Sequence, residues 1–299
     1  MPRRRVGAIL GEMLTSMTLA APWTKGLAPA FVELVVALAL LVGALVALQL
    51  LERATARYVA HRLGWRGVLL TGWVGVPLHE TSHLLAAKLF GHRVIDWKLF
   101  SPDPVTGTLG YVRHAVRRDT AWQRLGYLAS GLAPAIAGAL VLGLLAWWAL
   151  PTGAWGRLSA DRELALSEVA RGEAWLALLA QLGALARDLG AELWRGRSPW
   201  LPLQLYLAIA VVCHMAPSRA DLSLAGHGLV AALLLLVAAT VGCVATGVVP
   251  PGRSLLGLIP ALVGLLMGAA LLQGCYVLVL RLVERRRRGG AVVLGDGRL

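Results

Sequence analysis

The feature that most constrains this chain is a series of six apolar segments, each near the length that a helix needs to cross a bilayer. One crossing takes about 20 residues. The 299-residue chain is 58% hydrophobic and only 15% charged, with a mean hydropathy of +0.68, unlike an ordinary soluble domain. The sequence therefore predicts an all-α, polytopic membrane protein, a single membrane domain over residues 1–299 with six spans at 28–51, 67–90, 124–150, 200–216, 227–249 and 255–281.

The net charge of +13 is distributed as an orientation signal and not as a nucleic-acid surface. Basic residues gather at the ends of apolar segments, at Arg3–Arg5, Arg113–Arg118 and Arg285–Arg288. Lys and Arg are retained on the cytoplasmic side of a membrane. We therefore predict a multi-pass protein of the cell membrane with both termini cytoplasmic and the 157–197 loop outside, although the basic 52–66 loop is an exception to the rule. The partner that this predicts is the lipid bilayer, with no nucleic acid.

The segment that follows the second span, residues 92–116, has the pattern of strands. Two roughly alternating stretches flank a turn rich in proline and glycine near residues 101–107. An open sheet edge cannot face lipid, so this short β-like hairpin should lie at the interface or be buried in protein. We expect His92 and His114, near its ends, to be ordinary interfacial histidines.

Residues 159–195 are predicted to form an amphipathic helical loop that lies on the membrane. Leucines recur there at spacings of three and four, with charged residues between them. The simplest role is a helix that caps the end of the bundle, and a second is a gate that controls lateral access to a site.

The second span contains the motif H-E-x-x-H, formed by His79, Glu80 and His83. Residues four apart share one face of a helix, so both imidazoles can reach one metal ion while Glu80 lies beside it. Ionisable groups are costly within a membrane and mark functional sites there. The motif therefore predicts a catalytic Zn²⁺ site in which His79 and His83 are ligands and Glu80 is the general base.

Such a site needs a third protein ligand, and Asp221 is the main candidate. Pro217 ends the fourth predicted helix, and the turn after it can direct the Asp221 carboxylate inward. Residues Ser218–Asp221 also match S-x-x-D, a capping box that opens the next helix, and one carboxylate can serve both roles. His214 is a further candidate, either as a substitute ligand or as a group that supports the ligands.

These motifs, taken together, resemble the site-2 protease family of intramembrane zinc metalloproteases. His79–His83 match the first motif of that family, Leu109–Val112 is similar to its G-G-Y-V element, Gly131–Pro134 to its A-G-P segment, and Asp221 to the aspartate of its L-D-G motif. The chain departs from the family in having Ala137 where Asn is usual, in lacking the glycine after Asp221, and in showing no PDZ-like insert.

The resemblance implies a zinc metalloendopeptidase that hydrolyses a peptide bond in or near a transmembrane segment. Its partner would be a membrane protein substrate whose transmembrane helix unwinds and pairs beside the strand-like segment. Two alternatives stay open. The departure at Ala137 favours a non-catalytic protein of the same fold that binds membrane partners, and ionisable residues within spans also fit a small transporter with a metal or proton site.

Overall fold

A computed structural model of the chain describes residues 21–116, 120–149, 199–246 and 258–293, together with single positions between 180 and 195. The elements with defined bounds are α1 (Ala21–Leu89), β1 (Arg93–Lys98), β2 (Tyr111–Ala115), α2 (Ala121–Ala149), α3 (Leu201–Val212), α4 (Arg219–Thr246) and α5 (Leu258–Val293). The amphipathic loop predicted at 159–195 lies outside the described residues, apart from those single positions.

Helix α1 is broken at Gly64, where φ is 66° and ψ is −167°. Glycine suits this conformation because a Cβ atom disfavours positive φ. Glu52 and His79 would lie about 40 Å apart along a straight helix. Both side chains nevertheless contact a single short turn, Glu52 through the backbone of Ala216 and His79 through the backbone of His214. Helix α1 therefore folds back on itself at Gly64.

The fold-back divides α1 into a first arm, residues 21–63, and a second arm, residues 65–89, which correspond to the first two predicted spans. The residues between those spans were predicted to be a loop, but they continue the helix as far as the break. The second arm carries the H-E-x-x-H motif and therefore lies beside the first arm.

Three described segments are long and apolar enough to cross a membrane, by length and composition: Leu38–Leu89, Ala121–Ala149 and Leu262–Arg286. This is what a membrane protein requires. Helix α3, in the place of the fourth predicted span, has 12 residues, fewer than the roughly 20 of a full crossing. The count of six spans and the cytoplasmic position of both termini stay predictions.

A buried apolar cluster joins these helices. It draws on the first arm, on α2, α3 and α5, and on the turn that follows α3: Leu45, Leu48, Ala135, Ala139, Val211, Val212, Met215, Ala216, Leu266 and Ala269. Helices α2 and α4 approach closely at two glycines. A Cβ on Gly131 would collide with the carbonyl oxygen of Asp221, and a Cβ on Gly228 with the backbone nitrogen of Leu128. Small residues allow such close contact between membrane helices.

The strand-like segment forms the predicted hairpin, in which β1 and β2 pair antiparallel with an irregularity between Val94 and Asp96. The second arm of α1 ends just before it in a glycine cap. Gly91 adopts φ 71°, and its N–H and that of His92 donate to the carbonyls of Lys88 and Ala87. This is the Schellman arrangement that closes a helix. It directs the chain from His83 straight into β1.

Candidate metal centre

Three side chains from two helices converge on one point. His79 and His83 lie on one face of the second arm, and Asp221 lies in the first turn of α4. The two Nε2 atoms are 3.1 Å apart. Asp221 places Oδ2 3.6 Å from the Nε2 of His79 and Oδ1 3.3 Å from the Nε2 of His83. The side chains of all three residues are largely buried.

These separations suit a single metal ion. Zinc bonds to nitrogen and oxygen of about 2.0–2.1 Å in a tetrahedral arrangement put neighbouring ligand atoms about 3.4 Å apart. The three measured separations, 3.1, 3.3 and 3.6 Å, bracket that value. The group can therefore hold a metal ion through two imidazoles and one carboxylate, which leaves a fourth position open. All three ligands predicted from the sequence are brought together.

The carbonyl of His214 orients His79. The Nδ1 atom of His79 donates to this carbonyl oxygen over 2.7 Å, which leaves Nε2 unprotonated and facing the centre. The carbonyl is available because α3 ends at Val212. In a continued helix the N–H of Ser218 would bond it, but that N–H is directed to Asp221 instead. His214 therefore acts through its backbone, and its imidazole lies 3.1 Å from the hydroxyl of Thr71.

The carbonyl of Ser130 orients His83 in the same way. The Nδ1 atom of His83 donates to this oxygen over 2.9 Å. A residue four positions later normally bonds such a carbonyl within a helix. Here that residue is Pro134, which has no N–H. The proline inside α2 therefore leaves the carbonyl oxygen of Ser130 free of a helical hydrogen bond and available to His83.

Asp221 is both a helix cap and part of the metal group. Its Oδ2 accepts the N–H of Ser218 over 2.7 Å, while the hydroxyl oxygen of Ser218 accepts the N–H of Asp221 over 3.1 Å. This reciprocal pair is the capping box predicted from S-x-x-D. The two interpretations of Asp221 are therefore compatible, because the cap fixes the carboxylate in the orientation that faces the histidines.

Glu80 is buried next to the start of β2. A Cβ on Gly110 would lie only 2.9 Å from the Cγ of Glu80 and 2.8 Å from the carbonyl oxygen of Leu99. Gly110 belongs to the Leu109–Val112 element singled out in the sequence. A glycine is required there because the hairpin backbone passes directly over the Glu80 side chain.

His92 and His114 form a hydrogen-bonded pair and are not ordinary interfacial histidines, since His92 is only 5% exposed. Their Nδ1 atoms are 2.9 Å apart. The Nε2 of His92 lies 2.8 Å from the carbonyl oxygen of Gln123, which can only accept, so this nitrogen donates. The Nδ1 of His114 must then donate to His92, and the Nε2 of His114 accepts the hydroxyl of Ser130 over 3.2 Å. The pair therefore ties β2 to the residue that orients His83.

Two further polar residues near the centre were not predicted. Gln49 and Glu52, on the first arm, both contact the turn between α3 and α4. Glu52 was predicted to lie in the 52–66 loop. The signal that could have found them is two polar residues three positions apart, on one face at the end of an apolar helix.

No family model, no curated protein and no solved structure matches the chain. The resemblance to site-2 proteases therefore rests on the motifs quoted above.

Proposed function

We propose that this chain is an intramembrane zinc metalloendopeptidase that hydrolyses a peptide bond in or near a transmembrane segment of another membrane protein. The observation that supports this most directly is the convergence of His79, His83 and Asp221, with Glu80 adjacent in sequence to the first ligand. The motif similarities to site-2 proteases point to the same activity.

The donor set fits zinc. Two imidazoles and one carboxylate form the ligand set of catalytic zinc sites, in which the fourth position is kept for water. When bound, zinc lowers the pKa of that water to about 7 and polarises a carbonyl. Two histidines and one carboxylate also bind iron in oxygenases. Glu80, directly after the first histidine, favours zinc instead, because a carboxylate in this position serves as the general base in peptide hydrolysis.

The role of Glu80 is proton transfer. Glu80 takes a proton from the attacking water and later delivers it to the leaving amine. The carbonyls of His214 and Ser130 hold the two imidazoles in one tautomer, so the ligands need no rearrangement during the reaction. The buried position of Glu80 keeps bulk water away from this carboxylate.

The hairpin offers a place for the substrate. Within the described residues its sheet has two strands, so each strand keeps one edge that is not paired to another strand. An unwound peptide segment can add to such an edge through backbone hydrogen bonds. Because Gly110 packs against Glu80, a peptide held beside the hairpin would lie near the general base.

The proposal is tested by reconstituting the protein in lipid with a library of single-span proteins and measuring cleavage. Wild type should cut some of them. Glu80→Gln should lose activity by at least about 100-fold while keeping its metal, because an amide cannot take the proton.

A matched control is Glu284→Gln, at a carboxylate that contacts Tyr58 and Arg62 instead, and it should stay active. Cleavage by Glu80→Gln at the wild-type rate would contradict the assigned base. Wild type that binds these helices but never cuts them would favour the non-catalytic binding protein.

A further inference from the structure

The turn between α3 and α4 comprises residues 213–218. Two of its backbone groups form hydrogen bonds with side chains of the metal centre. The carbonyl of His214 orients His79. Four residues later, the N–H of Ser218 holds the carboxylate of Asp221. A displacement of this turn would therefore move one ligand and rotate another. Whatever fixes the turn also fixes the geometry of the centre.

The first arm of α1 supplies two side chains that bond the middle of this turn. The Nε2 of Gln49 donates to the carbonyl oxygen of Pro217 over 2.6 Å, and the Oε2 of Glu52 accepts the N–H of Ala216 over 2.8 Å. Gln49 and Glu52 are three positions apart and so lie on one face of the helix. Together they bond two consecutive residues of the turn, once as donor and once as acceptor.

Apolar packing alone would not require these polar groups. Leu45 and Leu48 of the first arm already pack in one cluster with Val212 and Met215, on either side of the turn's start. Such contacts are non-directional and tolerate small sliding movements. Hydrogen bonds to backbone atoms fix the distance and the angle of the turn. Gln49 is buried and Glu52 is half-buried, and polar groups removed from water are costly without a partner, which favours a functional reason for both.

We infer that Gln49 and Glu52 are positioning residues for the metal centre: they hold the 213–218 turn where its carbonyl orients His79 and its capping box orients Asp221. This inference rests on the proposed function, since it takes the three converging side chains as ligands. It assigns the first arm, which carries none of the ligands, a part in metal binding.

The test measures zinc affinity by titrating purified protein in lipid nanodiscs against a competing fluorescent chelator. Gln49→Met and Glu52→Met keep the side-chain length but lose the donor and the acceptor, and each should weaken zinc binding by about tenfold. Glu52→Gln keeps an oxygen that accepts the N–H of Ala216, so it should restore near wild-type affinity. Thr55→Val is the matched control, because Thr55 is buried on the same arm but its hydroxyl donates to the carbonyl of Leu51 in its own helix and not to the turn.

Hydrogen exchange gives a second readout that does not depend on metal. In metal-free protein, the amide of Ala216 should exchange faster in Glu52→Met than in wild type or Thr55→Val. Unchanged zinc affinity in both Met variants would overturn the positioning role, and so would a Glu52→Gln variant as weak as Glu52→Met. Wild type that holds zinc but cuts nothing would contradict the proposed peptidase alone. The positioning role would then still be decided by the affinities.

Discussion

The Nδ1 atom of His83 donates a hydrogen bond to the carbonyl oxygen of Ser130, 2.9 Å away and 47 positions along the chain. This contact exists because the proline one turn later in α2 cannot bond the carbonyl. The break in helical hydrogen bonding is therefore the physical origin of the orientation of the His83 imidazole. It also gives the motif Gly131–Pro134 a structural meaning, since its glycine lets α4 approach and its proline frees the carbonyl.

Pro134→Ala should weaken metal binding, although it supplies the N–H for one more hydrogen bond within α2. The alanine N–H would compete with His83 for the Ser130 carbonyl, and the imidazole would lose its fixed orientation. We expect zinc affinity to fall by about tenfold, with helical content unchanged by circular dichroism. Ser130→Ala keeps the carbonyl and serves as the control, so its zinc affinity should fall less. Equal affinity in Pro134→Ala and wild type would contradict this role of the proline.

Gly110→Ala should lower activity without releasing the metal. The added Cβ would meet the Cγ of Glu80 at 2.9 Å and the carbonyl oxygen of Leu99 at 2.8 Å, so either the hairpin or the base must move. Displacing a catalytic group by about 1 Å can reduce the rate by about 100-fold. Gly143→Ala is the matched control, because no atom of the residues that the structure describes lies within 4 Å of the Cβ it would add. Zinc content and cleavage rate should be measured together, and full activity in Gly110→Ala would argue against the close contact.

The hairpin should detach from α2 as the pH falls. Burial, and then the charge of His92, lower the pKa of His114 from its ordinary 6.5 to about 4; His83 lowers it further and Asp221 opposes this. Because the docked state keeps His114 neutral, the stability that it contributes is complete above about pH 6.5 and is lost as the pH falls toward 4. Protonation also places a hydrogen on the Nε2 atom of His114, which can then no longer accept the hydroxyl of Ser130 in α2.

Hydrogen exchange of the β2 amides across pH 4–7 checks this detachment. His114→Gln should remove the pH dependence in this window, whereas His227→Gln should keep it, because His227 lies in α4 and bonds the carbonyl of Ser223 in its own helix. Asp96, on the facing strand, should not contribute to the pH dependence between pH 4 and 7, because the hydrogen bond from the hydroxyl of Tyr111 lowers the pKa of Asp96 below 3.8. A pH profile that persists in His114→Gln would assign the effect to another group.

Much of this arrangement follows from local sequence patterns. The i, i+4 spacing of His79 and His83, the capping box at Ser218 and the turn chemistry of the hairpin each act over a few residues, so a sequence indicates them directly. The contact between the helix that carries the motif and Asp221 joins positions far apart in the chain, so it was predicted from the turn after Pro217 and from the resemblance, and not from a local spacing.

The remaining features depend on tertiary contacts that no local pattern encodes. The carbonyls that orient the imidazoles become visible only when α2 and α3 are placed beside the second arm. The Nδ1 pairing of His92 with His114 requires the register of the hairpin. Glu52 was predicted to lie in the 52–66 loop, whereas the helix continues to Gly64 and brings Glu52 against the turn between α3 and α4. Tertiary burial here overrode the charge pattern.

Topology gives a prediction independent of the chemistry. The distribution of arginines predicts that both termini lie in the cytoplasm and the 157–197 loop on the opposite face. Single cysteines introduced at each terminus and in that loop, in protein first freed of its own three cysteines, should show this by labelling with a membrane-impermeant reagent. Termini on different sides of the membrane would exclude an even number of spans.

The central claim is that His79, His83 and Asp221 bind one metal ion, and elemental analysis of purified protein tests it most directly. Wild type should hold about one zinc per chain, and Glu80→Gln should hold the same amount because Glu80 is not a ligand. His79→Ala and His83→Ala should hold almost none, and Asp221→Asn should retain zinc only weakly. Absence of zinc in carefully handled wild type, iron in its place, or a full complement of zinc in His83→Ala would contradict the account.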